Sequence, residues 1–209
     1  ARARGLTDEE VAKTYAEVEK LMEAGEGAIR PKYLIQIAQQ VMSQASDPRS
    51  IDQGIRNTCG VTTVESMIYT TDPSKAANLV RQVSLTGEYK DGDDNLVRLK
   101  KSSLVPDKEA NTYPPRDGER SYATQLFNLT AVNLAYKRDG VNRLYTQSSD
   151  FPGQTTSEAL FLVRDGYKEY IGTNPGLTDD QTVEAYRGIT GRTTDTVLLA
   201  AAHRSTNEG

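Results

Sequence analysis

Apolar and polar residues recur with a helical period through most of the first half of the chain. After Thr7-Asp8-Glu9-Glu10, which has the spacing of a helix capping box, Val11, Tyr15, Val18 and Leu21/Met22 return every three or four positions until Gly25 and Gly27. A second run starts at Pro31, where a first helical turn tolerates proline, and carries Tyr33-Leu34, Ile37-Ala38 and Val41-Met42 to Ser46-Asp47-Pro48. Residues 1–46 therefore read as a helical hairpin. Beyond the irregular stretch Asp47 to Thr58, the spacing of Val61, Val64 and Ile68 predicts a third helix ending near Thr71-Asp72-Pro73, with a fourth from Ser74 to Leu85.

The pattern changes in residues 87–209, which read as a mixed α/β part. Two short alternating runs between Gly87 and Leu99 flank the turn-forming cluster Asp91-Gly92-Asp93-Asp94-Asn95 and predict a β-hairpin. The aspartates invite a calcium loop. Leu96 stands where such a loop needs glycine and Ser102 where it needs its bidentate glutamate, so a plain turn is the better reading. Pro106 to Gly118 is polar and proline-bearing and reads as a surface connection. Ala123, Leu126/Phe127, Ala131 and Leu134 give the longest apolar stripe, predicting a central helix over 119–137 whose polar side, Arg120, Tyr122, Asn128 and Asn133, faces solvent or a partner. The remainder reads as a strand at 141–146, a helix at 157–163, a strand at 167–171 and two short helices, at 179–187 and 194–204. Together these elements predict one α+β domain over 1–209, helix-rich in its N-terminal half, with a small antiparallel sheet from the middle and C-terminal part.

Composition then narrows the chemistry. The chain has 25 Lys+Arg against 29 Asp+Glu, a net charge of −4, and no basic face to neutralise a run of phosphates, so nucleic acid is not an expected partner. No stretch has the run of about eighteen apolar residues a membrane span requires. The chain begins at Ala1, which suggests a processed or truncated product and leaves its compartment, cytoplasmic or secreted, unread. With one cysteine and one histidine there is neither an internal disulfide nor a Cys/His zinc site. No phosphate loop, dinucleotide fingerprint or metallopeptidase motif is present, so no cofactor or metal is expected. Catalysis by a nucleophile and an imidazole has only His203 to use.

The most informative residues are Asp52-Gln53-Gly54-Ile55-Arg56-Asn57-Thr58-Cys59-Gly60-Val61-Thr62. They run from a loop through Cys59 into an amphipathic helix, where the positive end of the helix dipole favours thiolate over thiol. At about 100° per residue Cys59 points away from the Val61, Val64 and Ile68 stripe, so its sulfur is expected at a cleft. Glu65, on the flank of that stripe, reads as a hydrogen-bonded, partly buried carboxyl. Gln53 stands six residues ahead of Cys59. A side-chain amide beside a nucleophile, together with the nucleophile's own N–H, can donate to the oxyanion of an acyl transfer.

These residues resemble the papain-like cysteine peptidases, in which a glutamine precedes the nucleophilic cysteine by this interval and the cysteine opens the central helix. The stretch is most similar to the bacterial branch related to bacteriocin-leader-processing peptidases, whose motif reads Asn-x-Cys-Gly-Pro-Thr/Ser. Here Asn57-Thr58-Cys59-Gly60-Val61-Thr62 matches it with Val61 in place of proline. The likeness covers about fifteen of the 209 residues. It implies a papain-like fold, Cys59 as nucleophile, Gln53 as oxyanion donor, Asn57 and Gly60 shaping the turn, and a protein or peptide substrate.

The resemblance also requires a histidine, which in the family opens a strand. His203 has the right order in the chain but follows Thr196 to Ala202, a run that reads as helix, and precedes Asn207 to Gly209, which reads as its stop. It is therefore either the catalytic base or a helix-end side chain. In the second case the chain is a C-terminally truncated domain carrying the cysteine half of a site. The alternative function is a non-catalytic helical interaction domain or pseudoenzyme on the same scaffold. A third reading is a secreted effector or toxin domain with the same thiol chemistry.

Overall fold

The computed structural model describes residues 5–148, 157–173 and 176–193. Thr7 accepts a hydrogen bond from the Glu10 N–H and opens α1 (Asp8–Glu23). Pro31 occupies the first turn of α2 (Pro31–Ser46). α3 (Cys59–Thr71) and α4 (Pro73–Thr86) follow, the latter closed by Gly87 with φ of 74°. α1 touches α2 but lies chiefly along α4. There the Glu17 carboxylate accepts from Asn78 and Arg81, and Glu10 accepts the Ser74 N–H in the first turn of α4.

The predicted hairpin forms as β1 (Glu88–Lys90) and β2 (Leu96–Arg98), antiparallel, with the buried pair Tyr89 and Val97 opposite each other. Its turn is plain. Asp91 accepts from the N–H groups of Asp93 and Asn95, and Arg138 pairs with Asp91 and Asp93, so protein groups occupy the oxygens a cation would need.

α5 (Tyr122–Arg138) is the axis of the molecule and touches α2, α3, α4, α6 and the strand that follows it. The expected polar face is not solvated. Every residue from Tyr122 to Tyr136 is buried, as is Arg120. Burial is tolerable because the polar side chains are bonded. Gln125 donates to Val105 O and accepts from the Asp107 N–H. Asn133 donates to Tyr145 O and accepts from Tyr145 N–H. The supposed surface connection is corrected too: Asp107 and Ala110 within it are buried, Asp107 donating its N–H to Gln125 of α5 and Ala110 O accepting from Gln36 of α2.

β3 (Arg143–Ser148), β4 (Ser157–Arg164) and β5 (Tyr167–Gly172) make an antiparallel sheet in that order. Residues 157–163 are thus strand, not the predicted helix. Their apolar run finds ladder partners on both sides, and Asp165-Gly166, both at positive φ, supply a two-residue hairpin turn. α6 (Asp179–Thr190) begins with a reciprocal capping box between Thr178 and Gln181, ends at Gly191 in the left-handed region, and packs on α5 and α3. The helix expected over 194–204, with His203, lies outside the described residues. The architecture is α+β with a helix-rich N-terminal half, and among the described residues no helix is long and apolar enough to cross a membrane.

Candidate active site

Cys59 is the first residue of α3 and is exposed. Val61, Val64 and Ile68 of the same helix are buried, which turns the thiol outward as their spacing predicts. Thr58, at the N-cap, does not bond its hydroxyl back onto the helix. That hydroxyl accepts from Asn128 Nδ2 at 3.2 Å, and the same amide reaches Thr62 Oγ1 at 3.1 Å. A side chain of α5 therefore fixes the entry to α3 and leaves first-turn N–H groups uncapped by Thr58, the condition in which a helix start attracts negative charge. Gly60 is the point where α6 passes: a Cβ there would stand 3.2 Å from Thr182 Oγ1.

The loop before Cys59 is held by buried charge. Arg56, three residues ahead of the thiol, is 7 % exposed and donates to Asp107 Oδ2 and Glu158 Oε2, each at 3.1 Å. Asp107 Oδ2 also receives Arg120 Nη2 at 2.6 Å, while its other oxygen accepts the Ala110 N–H at 2.9 Å. Arg120, fully buried, continues to Gln147 Oε1 at 2.7 Å, and Tyr145 donates its hydroxyl to Glu158. Burial works against an ionised Asp107, but Arg120, the Ala110 N–H and Arg56 outweigh it and hold the carboxyl below its ordinary range.

A second carboxylate grips the same loop closer to Gln53. The Asp52 carboxylate accepts the Gly54 N–H at 2.8 Å, and Glu109 Oε1 accepts the Ile55 N–H at 3.2 Å. Gly54 has φ of 63°, and any Cβ there would collide with Glu109 Oε2. Only glycine meets both demands. Burial, with Asp107 nearby, raises the Glu109 carboxyl above its usual range although the Ile55 N–H opposes this.

Gln53 is half-buried in this loop and Asn57 is exposed at its turn, so Gln53, Asn57, Cys59 and Gly60 occupy one continuous segment. His203 is not among the described residues. Glu65 is wholly buried, beyond the partial burial expected; Thr124 Oγ1 donates to it at 3.0 Å, and desolvation lifts its carboxyl to about 8. It sits between helices and serves packing. A cleft of about 380 Å³ borders the start of the loop, lined in part by Asp52, Gln44, Ser121, Thr124, Tyr113 and Arg116; Cys59 is not part of its lining.

The sequence gives no sign of Asp107 and Glu109 at this site, and it places Asn128 and Arg120 on a polar helix side facing solvent or a partner; all four come from segments remote from Cys59. The only local signal was Arg56, a charged residue close to a helix start. Neither a protein-family model, nor a curated protein, nor a solved structure matches the chain.

Proposed function

We propose that the chain carries the site of a cysteine peptidase or related acyltransferase, acting through the Cys59 thiolate on an amide bond of a protein or peptide. The observation that carries this reading is an exposed thiol on the first residue of α3, preceded by a carboxamide-bearing loop that a buried Arg56–Asp107 pair holds in place. Cys59 Sγ attacks the carbonyl carbon and forms the C–S bond. Negative charge moves to the carbonyl oxygen, where the Cys59 N–H and the Gln53 amide donate. Collapse breaks the C–N bond, the departing amine takes the proton that an imidazole, the role assigned to His203, has drawn from the thiol, and water or an acceptor amine then breaks the C–S bond and frees the thiol.

An activated ester isolates the first step, because its leaving group needs no proton. With N-acetylglycine p-nitrophenyl ester, the expected result is one acyl group per chain on Cys59, formed faster than on the urea-unfolded chain and absent in Cys59→Ser. Equal rates in the folded and unfolded chains would refute the proposal. A second reading, a non-catalytic protein-interaction domain on the same scaffold, is favoured by the edge strand β5, where Tyr167, Tyr170 and Ile171 are all exposed.

A further inference from the structure

We propose that Glu109 is a positioning residue for this site: wedged beneath Gly54 and bonded to the Ile55 N–H, it sets the direction in which the Gln53 amide leaves the loop. The inference rests on the acyl-transfer reading above and adds the group that orients its oxyanion donor.

Gln53 carries no charge and stands immediately before a turn at Gly54-Ile55, so its direction is inherited from the peptide planes on either side. Those planes are gripped twice. Asp52 holds the Gly54 N–H from within the loop, whereas Glu109 holds the next N–H from outside it. Glu109 belongs to a segment that is itself anchored, since the Asp107 side chain accepts the Ala110 N–H and backbone bonds run from Asn111 to Asp107 and from Thr112 to Glu109. The left-handed φ of Gly54 brings the backbone against the carboxylate, leaving no room for a side chain. Arg56, two positions beyond Gly54, ties the other end of the turn to Asp107 in the same segment. Residues 107 to 109 thus act as a template for the turn between the carboxamide and the thiol. An oxyanion donor is effective only within a few tenths of an ångström of its target position, and a displacement of about 1 Å costs on the order of 100-fold in rate.

The test compares two reactions of the same thiol in the whole chain. Acylation by N-acetylglycine p-nitrophenyl ester forms C–S, expels p-nitrophenolate and passes through an oxyanion. Alkylation by iodoacetamide forms C–S, expels iodide and has no oxyanion. The ratio of the two rates therefore reads the donor and is unaffected by a change in thiol exposure. Gln53→Ala is expected to lower the ratio by about 100-fold, the order seen when one oxyanion donor is lost. Glu109→Ala is expected to lower it by at least tenfold and to add little in the Gln53→Ala background, while Glu109→Gln, which keeps an acceptor for the Ile55 N–H, restores most of it. Gly54→Ala, which presses on the same carboxylate from the loop side, is a second route to the same loss if Glu109→Ala does not fold. A drop with Gln53→Ala but an unchanged ratio in a folded Glu109→Ala or Gly54→Ala chain overturns the role of Glu109. An unchanged ratio in Gln53→Ala overturns the underlying acyl-transfer reading, and the role of Glu109 with it.

Discussion

Two buried carboxyl groups lie against neighbouring residues of α5 and are treated in opposite ways. On one side Asp107, whose N–H donates to Gln125, stays ionised between Arg120 and Arg56. On the other, Glu65 rests on Thr124 with no guanidinium bonded to it among the described residues, and burial pushes its carboxyl up to about 8, which favours the neutral form. Gln44 donates to Thr124 as well, so the Glu65 region is a neutral hydrogen-bonded seam between α2, α3 and α5. Charge is kept at Asp107, where an irregular loop is pinned, and disfavoured at Glu65, where α2, α3 and α5 meet. The loop that is pinned is the one that carries Gln53 and leads to Cys59.

The largest expected effect breaks the charged side. Arg120→Met leaves Asp107 with one guanidinium in a buried site and should cost about 3–5 kcal/mol in urea unfolding, the usual penalty for orphaning a buried charge. Asp107→Asn in that background should recover part of it. A loss below about 1 kcal/mol would mean that the region is wetter than its burial indicates.

The neutral side answers through pH. Glu65 holds its proton more tightly in the folded chain than at its ordinary value of 4.5, so its contribution is complete below that pH and is lost as pH rises toward about 8. The decline amounts to a few kcal/mol, at about 1.4 kcal/mol for each pH unit that separates the folded from the unfolded value. Glu65→Gln should flatten this dependence with little change at acidic pH. Asp107 has the opposite sign: its folded carboxyl lies below its ordinary range, so its contribution is present above the unfolded value and fades as pH falls through the folded one. Urea titrations of the parent chain and Glu65→Gln across pH 2 to 9 separate the two, Asp107 acting below its ordinary value of 3.8 and Glu65 above 4.5.

Smaller effects sharpen the boundary of the pinned loop. Gly54→Ala should cost about 1–3 kcal/mol, from an unfavourable φ and a collision with Glu109. Thr178→Ala, in the capping box of α6 and outside both regions, should cost about 1 kcal/mol and leave Cys59 reactivity unchanged. Thermal melts and iodoacetamide labelling check both.

Local periodicity carried the helical half well, because Thr7, Pro31 and the stripe of Val61, Val64 and Ile68 each act within one or two turns of their own chain. It misjudged the central helix. Arg120, Tyr122, Asn128 and Asn133 look like a face for solvent or a partner in a linear reading, and only the folded chain supplies Gln147, Leu104, Thr58 and Tyr145 to bond them. Residues 157–163 misled for a related reason: a short apolar run has no period that separates helix from strand until β3 and β5 flank it. At the candidate site, the cysteine at a helix start was legible from residues 52–62. The clamp around that loop was not, since Asp107, Glu109 and Arg120 meet it across long stretches of chain.

The claim that Cys59 and Gln53 act on one carbonyl is tested most directly by a small aldehyde that stops at the tetrahedral stage. N-acetylglycinal, enriched with ¹³C at the aldehyde carbon, is added to ¹⁵N-labelled protein and followed by NMR. The expected result is a thiohemiacetal carbon on Cys59, formed together with a shift of the Gln53 side-chain N–H resonances. An adduct that leaves those resonances in place, or no adduct on the folded chain, would contradict it.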